Sequence, residues 1–239
     1  MPFVHGKGTT VLFNETNQTG YLDNTDFSVD VDTGDTTTYG SGWKTFLAGL
    51  VTSTAGFTGK YDPTNTEQRS ELGVDSGVLT YCPGGGATIG DRCRLMSITA
   101  TTYTQSSPVG DIVVFAWDTM AEASTGFGWM LHPLGADTNT TTGAERDDTA
   151  ATATGWIANL HVTGVSAGSW VVKLQDAAVS NTYSDVSGGA FTAATGATSQ
   201  RLTSAAGAAL RRYVRYVATR TGGAASDTIT FALAYSRNV

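Results

Sequence analysis

The 239-residue sequence is poor in charge, in histidine and in cysteine: Lys, Arg, Asp and Glu together make up 15% of it, and it holds three His and two Cys. His5, His132 and His161 are too far apart for ligand spacing and no Cys-x-x-Cys occurs, so no zinc site, other metal or cofactor is expected. No apolar run approaches the roughly 20 residues that a membrane-spanning helix needs. The opening Met1-Pro2-Phe3-Val4-His5-Gly6-Lys7-Gly8 lacks the apolar stretch of a secretory signal, and the expectation is a product made in a cytoplasm with no membrane partner. With few cations and a formal net charge of −7, the chain as a whole repels nucleic acid, which argues against a sequence-specific reader of DNA or RNA.

Catalytic patterns are missing as well. Gly164-Val-Ser-Ala-Gly168 fits Gly-x-Ser-x-Gly formally, but it joins two strand-like runs where a nucleophile elbow joins a strand to a helix, and it reads as a hairpin turn. Gly84-Gly85-Gly86 is followed by no Gly-Lys-Ser/Thr and reads as a turn. Asp26, Asp30, Asp32 and Asp35 do not follow a calcium-loop pattern and fit a solvated strand face. No enzyme is expected. Arg211, Arg212, Arg215 and Arg220 form the one basic concentration. Strand alternation splits them between two faces, which favours salt bridges to aspartates of other subunits over a phosphate groove.

What the sequence does have is 29 glycines, abundant Thr and Ser, and alternating apolar residues, the composition of strands joined by tight turns. The reading is all-β with one short helix. Phe27, Val29 and Val31 alternate with Ser28, Asp30 and Asp32, a strand with one buried and one wet face. The segment Asp35 to Leu50 follows, where Thr36 to Thr38 favour extended backbone, Gly40 and Gly42 permit turns, and Tyr39, Trp43 and Phe46 supply large rings. Aromatics on such a connector mark an interaction loop. Trp43, Phe46, Leu47 and Leu50 are also spaced i, i+3, i+4, i+7, and the same residues fit an amphipathic helical turn docked on the core.

Pro63 to Gly73 carries the punctuation of a short, weak helix. Cys93 to Thr104 and Asp111 to Ala121 pair as a long hairpin, within which Ile112 to Trp117 is almost continuously apolar and predicts burial on both faces. Cys82 and Cys93 flank a glycine-rich hairpin loop. They could bridge, or could be two small buried hydrophobes. A polar tract, Gly135 to Gly155, predicts a linker at 136–155 between a domain at 1–135 and a C-terminal β-sandwich at 156–239. In that sandwich Trp170, Val172 and Leu174 share one face, and Ile229, Phe231, Leu233 and Tyr235 another, giving half-buried strands.

Taken in order, His5-Gly-Lys-Gly-Thr-Thr-Val-Leu-Phe13, Gly20-Tyr-Leu22, Thr36-Thr-Thr-Tyr-Gly40, Lys44-Thr-Phe-Leu-Ala-Gly-Leu50, Gly59-Lys-Tyr-Asp62, Gly90-Asp-Arg92 and Ser107-Pro-Val-Gly-Asp111 resemble the major tail tube protein of long, non-contractile-tailed bacteriophages, especially those of actinobacteria. The resemblance covers roughly residues 3 to 135. The C-terminal part is similar to β domains appended to such proteins. One departure stands out: the family's longer apolar helix after the Tyr-Asp position is replaced by the polar, short Thr64 to Gly73.

The resemblance implies a tail-tube-type β-sandwich or barrel followed by a small C-terminal β-sandwich on the tube exterior. It implies a virion protein assembled in the host cytoplasm, with hexameric rings stacked into a DNA-conducting tube. Its partners would be copies of itself and other tail proteins such as the tape measure and the tail terminator. On that footing Tyr39, Trp43, Phe46 and Leu47 are the expected ring-to-ring contact. Two alternatives are a carbohydrate-binding or adhesin module, which would expose aromatics such as Trp170 and Tyr235, and a capsid decoration protein, which would form trimers.

Overall fold

The computed structural model describes residues 5–40, 42–65, 68 and 76–238. Sixteen strands run in chain order as β1 Thr10–Phe13, β2 Thr16–Asn17, β3 Leu22–Asp35, β4 Phe46–Lys60, β5 Ser76–Cys82, β6 Arg92–Ser106, β7 Val114–Ala121, β8 Gly126–Thr138, β9 Thr141–Thr142, β10 Arg146–Asp147, β11 Ile157–Val165, β12 Ser169–Ala177, β13 Ser184–Ala190, β14 Thr198–Thr203, β15 Tyr213–Thr221 and β16 Thr228–Ser236. The fold is all-β among the described residues, with a 3-10 turn at Gly6–Gly8 and no α-helix. The short helix expected over Pro63–Gly73 lies largely outside the described residues.

The chain divides into a larger unit, Met1–Gly20, Gly77–Ser97 and Ala123–Val239, and a smaller one, Tyr21–Ser76 and Ile98–Glu122. In the larger unit one antiparallel sheet has the order β14-β11-β16-β8-β6-β5-β1-β2, and a second has β10-β15-β12-β13 with β9 also on β15. The two sheets bury a common core. Trp170, Val172 and Leu174 of β12 and Val214, Tyr216 and Ala218 of β15 meet Leu160, Val162, Phe231 and Tyr235 of the other sheet. Period-2 alternation places these side chains on facing surfaces.

The strand β16 departs from its sequence pattern. Ala232 and Ala234, on the side expected to be wet, are buried in a second cluster with Leu12, Cys82, Cys93, Leu95 and Met130. Small Ala side chains allow this because β16 lies inside its sheet, between β8 and β11. Gly128 permits equally close approach from the neighbouring strand, since a Cβ there would stand 1.9 Å from the Tyr235 carbonyl oxygen.

These pairings correct the expected domains at 1–135 and 156–239. Thr138 to Gly128 of β8 run along Thr228 to Ser236 of β16, so the C-terminal strand belongs to the same sheet as β8. The tract 136–155 is not a linker either. Thr141 and Thr142 pair with Ala218 and Val217 of β15, Arg146 and Asp147 pair with its Val214 and Tyr213, and Asp148 is buried on Arg237. Its charged side chains are partnered, Asp137 by Tyr216, Glu145 by Ser180, Asp147 by Arg212, and Arg146 with Arg237 on Asp148, which composition alone does not reveal.

The smaller unit is a four-stranded antiparallel sheet, β3-β4-β7 and the Ile98–Ser106 part of β6. One face is buried: Phe57 and Trp117 pack at 5.5 Å between ring centroids, and Ala55, Phe115 and Thr119 lie beside them. The Thr119 hydroxyl donates to the Ala55 carbonyl at 2.8 Å. In β7, burial alternates and Ile112 is exposed, so the continuous apolar run is not covered on both faces as expected.

Candidate self-assembly surface

Past the pair Thr54 with Met120, β7 ends, and β4 residues 46–53 are paired with β3 alone. The β3–β4 hairpin therefore projects as a two-stranded arm. The spacing of Trp43, Phe46, Leu47 and Leu50 does not make a helical turn, because Phe46 to Leu50 are the first residues of β4. Thr-rich sequence on both sides of the turn favours this outcome.

The arm's tip is closed by threonines. The Thr36 NH donates to the Thr45 carbonyl at 2.9 Å, and the Thr45 NH donates to the Thr37 hydroxyl at 3.1 Å. The Asp35 carboxylate accepts the Thr37 NH at 2.9 Å. The Thr37 hydroxyl and backbone NH hold this carboxyl below the usual carboxylate range. Gly40 supplies the left-handed backbone of the turn, with φ +100°.

Of the four expected contact residues, Tyr39 is 110% exposed and Trp43 88%, while Phe46 and Leu47 are also exposed. The structure brings them together on the arm with residues that the pattern had placed elsewhere. Val29 and Val31 were expected on a buried face, yet both are exposed, as are Leu50 and Val51. Alternation correctly gave them one face of β3. It could not show that, among the described residues, β4 has β3 as its one partner beyond β7.

The opposite face of the four-stranded sheet is hydroxyl-rich and acidic. Cross-strand register puts Asp26, Ser28 and Asp30 of β3 beside Thr52, Thr54 and Gly56 of β4, then Asp118 of β7 with Ala116 and the exposed Met120, then Thr102 and Thr104 of β6. Asp118 lies over Gly56, where a Cβ would meet its Oδ1 at 2.9 Å. Lys60, at the far end of β4, is held by Asp23 at 2.9 Å. The charge is segregated between the units: the smaller carries 12 Asp and Glu against 3 Lys and Arg, the larger 9 against 11, for net charges of −9 and +2.

Among the described residues both outer strands of this sheet have an unpaired edge. Among the described residues β3 pairs only with β4. On β6, β5 runs back from the Cys82–Cys93 bridge to Ser76, and among the described residues the stretch Thr102–Ser106 is paired by β7 alone.

The other sequence candidates fall outside this surface. Cys82 and Cys93 are bonded between β5 and β6, with sulfurs 2.12 Å and Cα atoms 4.1 Å apart. The arginines expected to bridge to other subunits find partners in their own chain: Arg211 on Asp176, Arg212 on Asp147, Arg220 on Asp227, and Arg215 on the Gln175 side-chain oxygen and over the Tyr183 ring. Gly164–Gly168 joins β11 of one sheet to β12 of the other, so it is a corner between sheets and not a hairpin. Among the described residues no group of His, Cys, Asp or Glu is placed to hold a metal ion, and no helix is long and apolar enough to cross a membrane.

No protein-family model matches the chain, and no curated protein does. Solved structures similar to it are tail, injection-tube and tail-hub proteins. A chain of the native gene transfer agent virion is 14% identical over 52% of this chain and 97% of that one, with a TM-score of 0.44. The cap that terminates the anti-feeding prophage tube is 12% identical over 53% and 93%, with a TM-score of 0.42. The SPP1 Dit protein, of the hub adsorption apparatus in phages infecting Gram-positive hosts, is 12% identical over 94% and 98%, with a TM-score of 0.34. At this level of superposition neither a site nor an assembly is transferable to the present chain.

Proposed function

We propose that this chain is a structural virion protein that polymerises as stacked, hexameric rings into a phage tail tube. The observation that carries the reading is the four-stranded sheet of the smaller unit, with both edges open among the described residues, one face buried and the other lined mainly by Thr, Ser and Asp. An exposed strand edge of this length is a template for pairing with another chain. Pairing β3 of one copy with Thr102–Ser106 of the next removes both edges at once and closes a ring of copies into a barrel.

In such a ring the face bearing Asp26, Asp30 and Asp118 lines the interior. Its charge keeps DNA phosphates from binding there, so DNA passes without sticking. The exposed arm reaches the adjacent ring, with Tyr39, Trp43, Phe46 and Leu47 in the contact. The tape measure and the tail terminator are the corresponding partners inside and at the end of the tube.

Negative-stain microscopy of the purified protein tests this directly. Tubes of uniform width with an axial repeat are expected. Discrete trimers without tubes would favour a capsid decoration protein. An adhesin reading lost its motivating feature, since Trp170 and Tyr235 are fully buried.

A further inference from the structure

The arm's apolar residues do not share one face, and a single irregularity decides how they divide. Register shifts between Val31 and Thr33: Val51 opposes Val31, Ala48 opposes Thr33, and Gly49 with Leu50 stands against Asp32. This is a β-bulge with its extra residue in β4. Gly49 fits there because a Cβ would come within 3.2 Å of both the Asp32 Cβ and its carbonyl oxygen.

Cross-strand partners point to the same side, and successive residues to opposite sides. Val31, Val51 and Phe46 therefore project from one face of the arm. Leu50 and Leu47, opposite Asp32 and Gly34, project from the other. At the base of the hairpin that second face carries Asn24, Asp26, Ser28 and Asp30 with threonines and Gly56. Beyond the bulge it turns apolar, and Leu50 and Leu47 are 79% and 68% exposed.

A hairpin laid on one flat surface buries one face. This one carries exposed large apolar side chains on both, so a single surface leaves either Val31 and Phe46 or Leu47 and Leu50 in water. From this we infer that the arm is inserted into a slot between two further copies of this chain, each covering one face, an inference that deepens the tube reading and rests on it.

Two observations favour copies of the same chain as the occupant. The arm belongs to the unit of net charge −9, while the other unit of the same chain is at +2, so a second copy brings a surface that does not repel it. The area is sufficient as well. Tyr39, Trp43 and Phe46, at roughly 150–250 Å² per ring when buried, supply about half or more of the roughly 800 Å² per partner that a stable interface buries.

The test uses two double variants of the full chain, Val31→Thr with Val51→Thr for one face and Leu47→Thr with Leu50→Thr for the other, since Thr retains β propensity. The readout is the protein concentration at which sedimentable assemblies appear, with the subunit melting temperature measured alongside. Each face variant is expected to raise that concentration about tenfold or more with the melting temperature unchanged. If one variant assembles like the unmodified protein, the arm lies on a single surface and the slot is wrong while the tube reading stands. If the unmodified protein forms trimers and no tube, the tube reading fails, and the same two variants read the slot in the trimer. A protein that stays monomeric at every concentration sinks both.

Discussion

Asp148 and Arg237, 89 residues apart, form an ion pair 2.6 Å long whose side chains are 1% and 6% exposed. The same carboxylate accepts the Tyr235 hydroxyl at 2.5 Å and Arg146 Nε at 2.8 Å. Arg237 in turn donates to the Leu210 and Arg211 carbonyls. The pair ties the polar tract after β8 to the end of β16. Burial of two charges is tolerated because nearly every polar atom of the pair has a partner.

Loss of one member should therefore be costly. Asp148→Ala leaves a guanidinium buried without its counter-charge, and a destabilisation of roughly 3–5 kcal/mol is expected. Limited proteolysis should cut the 140–155 tract in the variant and spare it in the unmodified chain. Equal cleavage in both would mean that this tract is the open linker its composition suggests.

Trp43→Ala should act on assembly and leave folding alone. At 88% exposure in the subunit, the side chain contributes little to stability, and surface truncations usually stay within about 0.5 kcal/mol. A Trp at an interface typically costs about 2–4 kcal/mol when truncated, and the loss recurs at each contact around a ring. The expected result is an unchanged melting temperature with tubes suppressed in negative stain. Normal tubes from the variant would remove Trp43 from the contact.

Acid should weaken the larger unit through His161. Its ring is fully buried, with Nε2 2.8 Å from the Thr80 hydroxyl and Nδ1 2.8 Å from the Asn14 carbonyl. Burial outweighs the Asn14 carbonyl and lowers its pKa from 6.5 to about 4. Because the folded pKa lies below the unfolded one, the contribution is complete above about pH 6.5 and is lost as pH falls towards 4. The full loss is on the order of 3 kcal/mol. Melting temperatures of the unmodified chain and His161→Gln should converge as pH drops across this window, and parallel curves would contradict the assignment.

Reduction of Cys82–Cys93 should destabilise the same unit. The bridge spans 11 residues, and constraining a loop of that length in the unfolded chain is worth about 3 kcal/mol. Melting with and without a reductant measures it. A midpoint insensitive to reduction would indicate that the two side chains serve only as packing in their cluster.

The strands were legible in the sequence wherever alternation was strong, as at Trp170, Val172 and Leu174, because a period of two is a property of the backbone itself. What covers a face was not legible. Ala232 and Ala234 look like the small residues of a wet face and are buried, while Val29 and Val31 look like core and are exposed. Both outcomes depend on neighbouring strands distant in sequence. The arm's aromatics were visible through Tyr39 and Trp43. Phe46 could be placed with Val51, and Leu47 with Leu50, only once the register around Gly49 was known. The domain boundary was misplaced for a related reason: Asp148 reads as linker composition until Arg237 is found beside it.

The bulge at Gly49 makes the arm's sidedness a matter of parity. Were the bulge lost with Gly49 kept in plain pairing, every β4 side chain distal to it would change sides, sending Phe46 to the leucine side and Leu47 to the valine side, whereas removing Gly49 itself leaves the pairs Ala48 with Thr33 and Phe46 with Asp35 as they are. Composition, charge and hydrophobicity would be almost untouched. Related chains that keep these residues but pair them without the bulge would therefore present Phe46 and Leu47 on exchanged sides, and mixed with this protein they should fail to copolymerise despite near-identical sequence.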